Sequence, residues 1–173
     1  MKRNICCSVA VWLFLASFTG LVNAAELSSN DKSFLKDAAE GANAEIELAN
    51  LALKKTARAD IKAFAHRIIT DHQKANDQLK SIAAEHQTEM STGMGLKYTA
   101  EKARLTMLSG RDFEDAYVNT MVDDHQSDLA SFKKEVQNGS DADLKKFASM
   151  TIPILRQHLS MARTIQGKMV TPQ

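Results

Sequence analysis

Ile61-Lys62-Ala63-Phe64-Ala65-His66-Arg67-Ile68-Ile69-Thr70-Asp71-His72 is the stretch that decides the fold. Ile61, Phe64, Ala65, Ile68 and Ile69 recur at three- and four-residue intervals, the spacing of one helix face. The same period continues through Ala75, Leu79, Ile82 and Ala83, so a helix is predicted from about Ala59 to Glu89, with Asp60 favouring its first turn. At about 100° per residue His72 projects within roughly 20° of Ile61, in the centre of the apolar stripe. Its neighbour Asp71 stands at the stripe's edge. His66 is off the face, and His86 is on it near the helix end, where solvent is expected.

Outward from this segment the chain repeats the pattern three times. A first long helix is predicted from about Asp31 to Thr56, capped by Ser29 or Asn30, with Phe34, Ala38, Ala42, Ala49 and Ala52 inward and Ile46 and Leu53 flanking them. After Met90-Ser91-Thr92-Gly93-Met94-Gly95 comes a shorter helical piece, about Lys97 to Leu108, ended by Ser109-Gly110. Asp112 and Asp115 have capping-box spacing ahead of a third long helix, about Phe113 to Gln137. It turns Tyr117, Val118, Met121, Leu129, Phe132 and Val136 inward. Asn138-Gly139-Ser140 reads as a turn, with Ser140 expected to cap a fourth long helix from about Asp141 to Lys168. Pro153 lies inside that helix and removes one backbone donor, so a kink is expected there. Strand signals are nearly absent. The expected fold is all-α: an antiparallel four-helix bundle with a short extra helix between the second and third long ones.

The N-terminus reads as an export signal. Lys2 and Arg3 precede an apolar run from Val9 to Phe18, and Val22 and Ala24 suit the −3 and −1 sites of a signal peptidase. Residues 1–24 are therefore expected to be a cleaved signal peptide and residues 25–173 one helical domain, in the periplasm or secreted. Cys6 and Cys7 both fall in the signal, which leaves the mature chain without thiol ligands or disulfides. No later stretch is long and apolar enough to span a membrane. Losing Lys2 and Arg3 from 22 basic residues leaves the mature chain nearly balanced against its 21 acidic ones, with no basic block, so nucleic acid is not an expected partner.

Each of the four long helices puts a Glu or His where an apolar residue is expected. Glu45 projects within roughly 20° of Phe34, His125 falls near Phe132 and Met121, and His158 falls between Phe147 and Ala162. Asp124 stands at the edge of its stripe beside Tyr117. In an antiparallel bundle the four heights can coincide. Two readings follow. Glu45, His72, His125 and His158 converge on one transition-metal ion (Fe, Mn, Zn or Cu), with Asp71 or Asp124 as further ligands or as orienting partners. Alternatively, Glu45 accepts hydrogen bonds from the histidines and the cluster fixes helix register. No phosphate-binding glycine loop, G-x-S-x-G elbow or H-E-x-x-H motif is present.

The ordered set of segments resembles the exported bacterial family DUF4142, a domain of unknown function of the ferritin-like superfamily. The resemblance rests on Ala44-Glu45-Ile46-Glu47-Leu48-Ala49, Lys62 through His72, Asp112 through Val118, Met121-Val122-Asp123-Asp124-His125, Leu144-Lys145-Lys146-Phe147-Ala148, and Pro153 through Leu159 with Ala162. It implies a ferritin-like bundle and an envelope location. Ferritin-like di-iron enzymes place Glu three residues before a ligating His. Here those positions are Ala63, Ile69, Ala83, Val122 and Leu155, which argues against a di-iron oxidase or ferroxidase. The function expected is a non-catalytic envelope protein that binds a metal or a protein partner in stress protection. The alternative is a metal-dependent redox enzyme using the Glu/His layer. A homo-oligomer is left open.

Overall fold

The structure, a computed structural model, describes residues 26–170; the expected signal segment lies outside the described residues. The helices in order are α1 Ser29–Lys55, α2 Ala59–Glu85, α3 Gly95–Met107, α4 Gly110–Asn138 and α5 Ala142–Val170, and among the described residues there is no strand. No helix is long and apolar enough to cross a membrane.

The four long helices form the expected antiparallel bundle. α1 pairs with α2 and α4, and α5 pairs with α2 and α4. Thr56, just beyond α1, hydrogen-bonds Glu114 near the start of α4, while Phe34 near the start of α1 packs on Phe132 near the end of α4. α1 and α4 therefore run in opposite directions. His86 at the end of α2 meets Asp141 just before α5 at 3.0 Å, so α2 and α5 also oppose. This leaves α2 and α4 parallel, and the chain must cross the length of the bundle between them. α3 makes that crossing, against α1 and α4.

Local chemistry moves several boundaries from their expected places. α1 is capped by Ser28, not Ser29 or Asn30: the Ser28 hydroxyl accepts from Asp31 N at 3.1 Å and donates to Asp31 Oδ2 at 2.8 Å. α2 stops at Glu85 instead of Glu89. Thr88 N donates to Ala83 O and Gln87 N to Ala84 O, a Schellman closure in which Gln87 takes φ 50° where glycine is usual. His86 is consequently paired with Asp141 and mostly covered, not solvated. α4 starts at Gly110, with neither Ser109 nor Asp112 closing a side-chain cap, so the expected capping box does not form. α5 is capped by Asp141 in place of Ser140, through bonds from Asp143 N at 3.0 Å and Leu144 N at 2.8 Å. The helix continues through Pro153.

α3 is held mainly by polar contacts. Leu105 is its one buried residue. Lys102 pairs with Glu47 at 2.6 Å, Lys55 reaches the carbonyls of Thr106 and Leu108, and Asn43 reaches those of Ser91 and Gly93. Glu40 accepts from Ser91 at 3.0 Å, so Glu40 and Glu47, which project away from the stripe, anchor the crossover. Gly95 has φ 70°, and a side chain there would run into the Glu40 carboxylate.

The core is layered along the bundle axis. Phe34, Phe132 and Phe147 form one aromatic layer, and Phe64, Tyr117 and Phe113 another. The polar residues singled out in the sequence lie between them.

At the far end, Ser140 N donates to Asp31 at 3.0 Å, and buried Glu135 hydrogen-bonds the same Asp31. Burial and the Asp31 charge raise the Glu135 carboxyl to about 7. The folded protein thus keeps a proton that the unfolded chain releases near 4.5. The stability carried by this pair is full below the unfolded value and is lost as pH rises through the folded one. Glu135→Gln is expected to flatten the fall in melting temperature between about pH 5 and pH 8, followed by thermal melts. Parallel profiles for the two proteins would refute the shared proton.

Candidate metal centre

Glu45 from α1, His72 from α2, His125 from α4 and His158 from α5 meet in one buried layer, each 6% exposed or less. His72 Nε2 lies 2.6 Å from Glu45 Oε2, and His125 Nδ1 lies 3.2 Å from Glu45 Oε1. The first approach is close enough for an ion pair but off the axis a hydrogen bond needs. Both Glu45 oxygens and His72 Nε2 are buried without a hydrogen bond.

The partners of the other two histidines fix their protons. His125 Nδ1 faces the Met121 carbonyl at 2.9 Å, and a carbonyl only accepts, so Nδ1 carries the hydrogen. His158 Nε2 faces Asp71 Oδ2 at 2.9 Å. Burial works against the charge on Asp71, but its bonds from Arg67 and His158 prevail and hold its pKa below the usual value. Asp71 is then an acceptor and His158 carries its hydrogen on Nε2. That leaves His125 Nε2 and His158 Nδ1 as two lone pairs facing each other at 3.2 Å.

Such a pair is repulsive unless a proton or a metal ion lies between them. Burial pushes both imidazoles down to about 4, so neither holds an extra proton at neutral pH. His72 is lowered by burial as well. Burial also raises Glu45, to about 7: the charged form is costly in this layer, and a cation beside it would offset that cost. The donor set fits a metal ion. Nitrogen atoms of His72, His125 and His158 lie within 4.8 Å of one another. Two nitrogens on one tetrahedral ion at about 2.0–2.1 Å stand roughly 3.3 Å apart.

The two aspartates at the stripe edges go to different places. Asp71 sits behind His158 and orients it, with Arg67 on its other side. Asp124 is 5% exposed but turns toward α3, where Lys97 Nζ lies 3.3 Å from Oδ1 and Oδ2 has no partner. Sequence reasoning missed Asp128, one turn beyond Asp124. It lines a cavity of about 10 Å³ with His72, and burial, then Glu45, pushes its carboxyl well above the ordinary value. The four-residue spacing from Asp124 was the available signal.

The fold and this layer define an all-helical bundle of ferritin-like topology with a Glu/His core site. Residues 16–165 match the family model described as "Domain of unknown function (DUF4142)", and the chain belongs to that family. A crystal structure of a DUF305 fragment from Deinococcus radiodurans is similar, with a TM-score of 0.74 at 13% identity over 83% of this chain and 99% of that one. That likeness is one of fold. No curated protein matches the chain.

Proposed function

We propose that this is a non-catalytic metal-binding protein of the bacterial envelope. Glu45, His72, His125 and His158 hold one divalent transition-metal ion, and Asp71 and the Met121 carbonyl orient the imidazoles. The observation that carries the reading is the set of buried donors left without hydrogen bonds: both Glu45 oxygens and His72 Nε2. A cluster serving only helix register is expected to close its own hydrogen bonds. The imidazole and carboxylate donors suit Zn, Cu, Fe or Mn. An ion held between two aromatic layers is shielded from bulk water, which fits a protective role. The export signal read from the sequence supports the envelope as the compartment.

A metal-dependent redox enzyme needs an open coordination position and room for a substrate. The cavity beside His72, at about 10 Å³, has space for roughly one water, which favours binding over turnover. Elemental analysis of protein purified from the periplasm without chelators tests the reading, beside Glu45→Gln and His72→Ala. About one ion per chain, lost in both variants, is expected. Protein that retains no ion after exposure to Fe, Mn, Zn and Cu salts would return the cluster to a structural role.

A further inference from the structure

A groove of about 560 Å³ lies between α3 and α4. Three carboxylates line it, Asp123, Asp124 and Glu101, against two cations, Lys97 and Arg104. Arg104 is already occupied, with bonds to both oxygens of Glu101 at 3.0 Å and 2.6 Å. Asp124 forms part of the groove wall as a buried side chain, and its Oδ2 has no partner. Its other oxygen is held by Lys97, whose side chain is 71% exposed and reaches in from the rim. A carboxylate this deeply covered, half satisfied by a solvent-facing lysine, is suited to exchange that lysine for another cation.

From Asp124 the acidic character continues inward. Asp128 follows one turn along α4, close enough to feel the charges of Asp124, Glu45 and His72. Tyr98 of α3, which also lines the groove, sits half-buried beside Gly41 of α1. The helix bearing Lys97 and Tyr98 is the one least anchored by apolar burial. Asp124 on the groove wall, Asp128 beside His72 and Glu45 in the core thus form a series of carboxylates that feel one another's charge.

We propose that this groove is the loading site for the divalent ion: a hydrated cation displaces Lys97 from Asp124, is held there transiently, and passes along Asp128 to the Glu/His layer. The proposal rests on the reading of that layer as a metal centre. Asp124 then governs the rate of filling and not the final occupancy.

Stopped-flow loading of the metal-free protein with Zn²⁺, and in a parallel series Cu²⁺, against a chromogenic chelator tests this, with equilibrium metal content measured on the same samples. Asp124→Asn is expected to load roughly 10-fold more slowly with unchanged final content, and Lys97→Gln about threefold faster. Rates within twofold of wild type in both variants would overturn the loading role. So would lost occupancy in a folded Asp124→Asn protein, which would make Asp124 a ligand. If Asp124→Asn does not fold, the Lys97→Gln rate decides alone, and no acceleration there overturns the proposal. Wild-type protein that takes up neither ion removes the metal centre itself, and the loading groove with it.

Discussion

Filling the Glu45–His72–His125–His158 site is expected to raise the melting temperature of the metal-free protein by roughly 10 °C. An ion that binds only the folded state stabilises it by RT ln(1 + [L]/Kd), about 4 kcal/mol at a thousandfold excess over Kd. For a domain of this size that corresponds to about 2–4 °C per kcal/mol. The physical source is the chemistry of the layer itself. It holds a buried carboxylate raised to about 7 and two lone pairs facing each other at 3.2 Å. A cation relieves both at once. Calorimetry with saturating metal and after chelation measures the effect. In Glu45→Gln the same additions are expected to move the transition by no more than about 2 °C, because the compensating charge is gone. An equal shift in the two proteins would place the ion elsewhere on the chain.

How far this site was legible in the sequence follows from what a helix period can encode. Eleven residues separate Phe34 from Glu45 and Ile61 from His72, and that interval alone returns each polar residue to the centre of an apolar face. The four inward residues and the bundle class were readable for that reason. Helix ends were less so. The stop of α2 depends on Gln87 adopting a left-handed conformation that the sequence marks with no glycine. The start of α3 depends on a tertiary approach between Gly95 and Glu40, residues far apart in the chain. Asp71 and Asp124 show the deeper limit. Both stand at stripe edges before a histidine and look equivalent in projection. Only the handed arrangement of the helices turns Asp71 toward His158 of α5 and Asp124 toward Lys97 of α3. Likewise the proton positions of His125 and His158 follow from a carbonyl and a carboxylate that no spacing rule predicts.

Phe64→Ala is expected to destabilise the protein by about 3–5 kcal/mol, the range for removing a fully buried aromatic ring. Phe64 is 0% exposed and 6.4 Å from the Tyr117 ring. It also stands 6.5 Å from both His125 and His158, edge-on to the latter, so it walls the site as well as filling the core. Phe132→Ala in the opposite layer removes a ring packed instead on Phe34 and Phe147. The pair separates two effects that a single core variant confounds. Both are expected to lower stability in denaturant unfolding, but Phe64→Ala alone is expected to weaken metal affinity, by on the order of 10-fold, because the two imidazoles lose the wall that fixes their ring planes. Competition against a chelator of known affinity measures this on protein that is still folded at 25 °C. Equal affinities in both variants would mean that the Met121 carbonyl and Asp71 suffice to orient His125 and His158. Equal losses would mean that the layer answers to bundle packing as a whole.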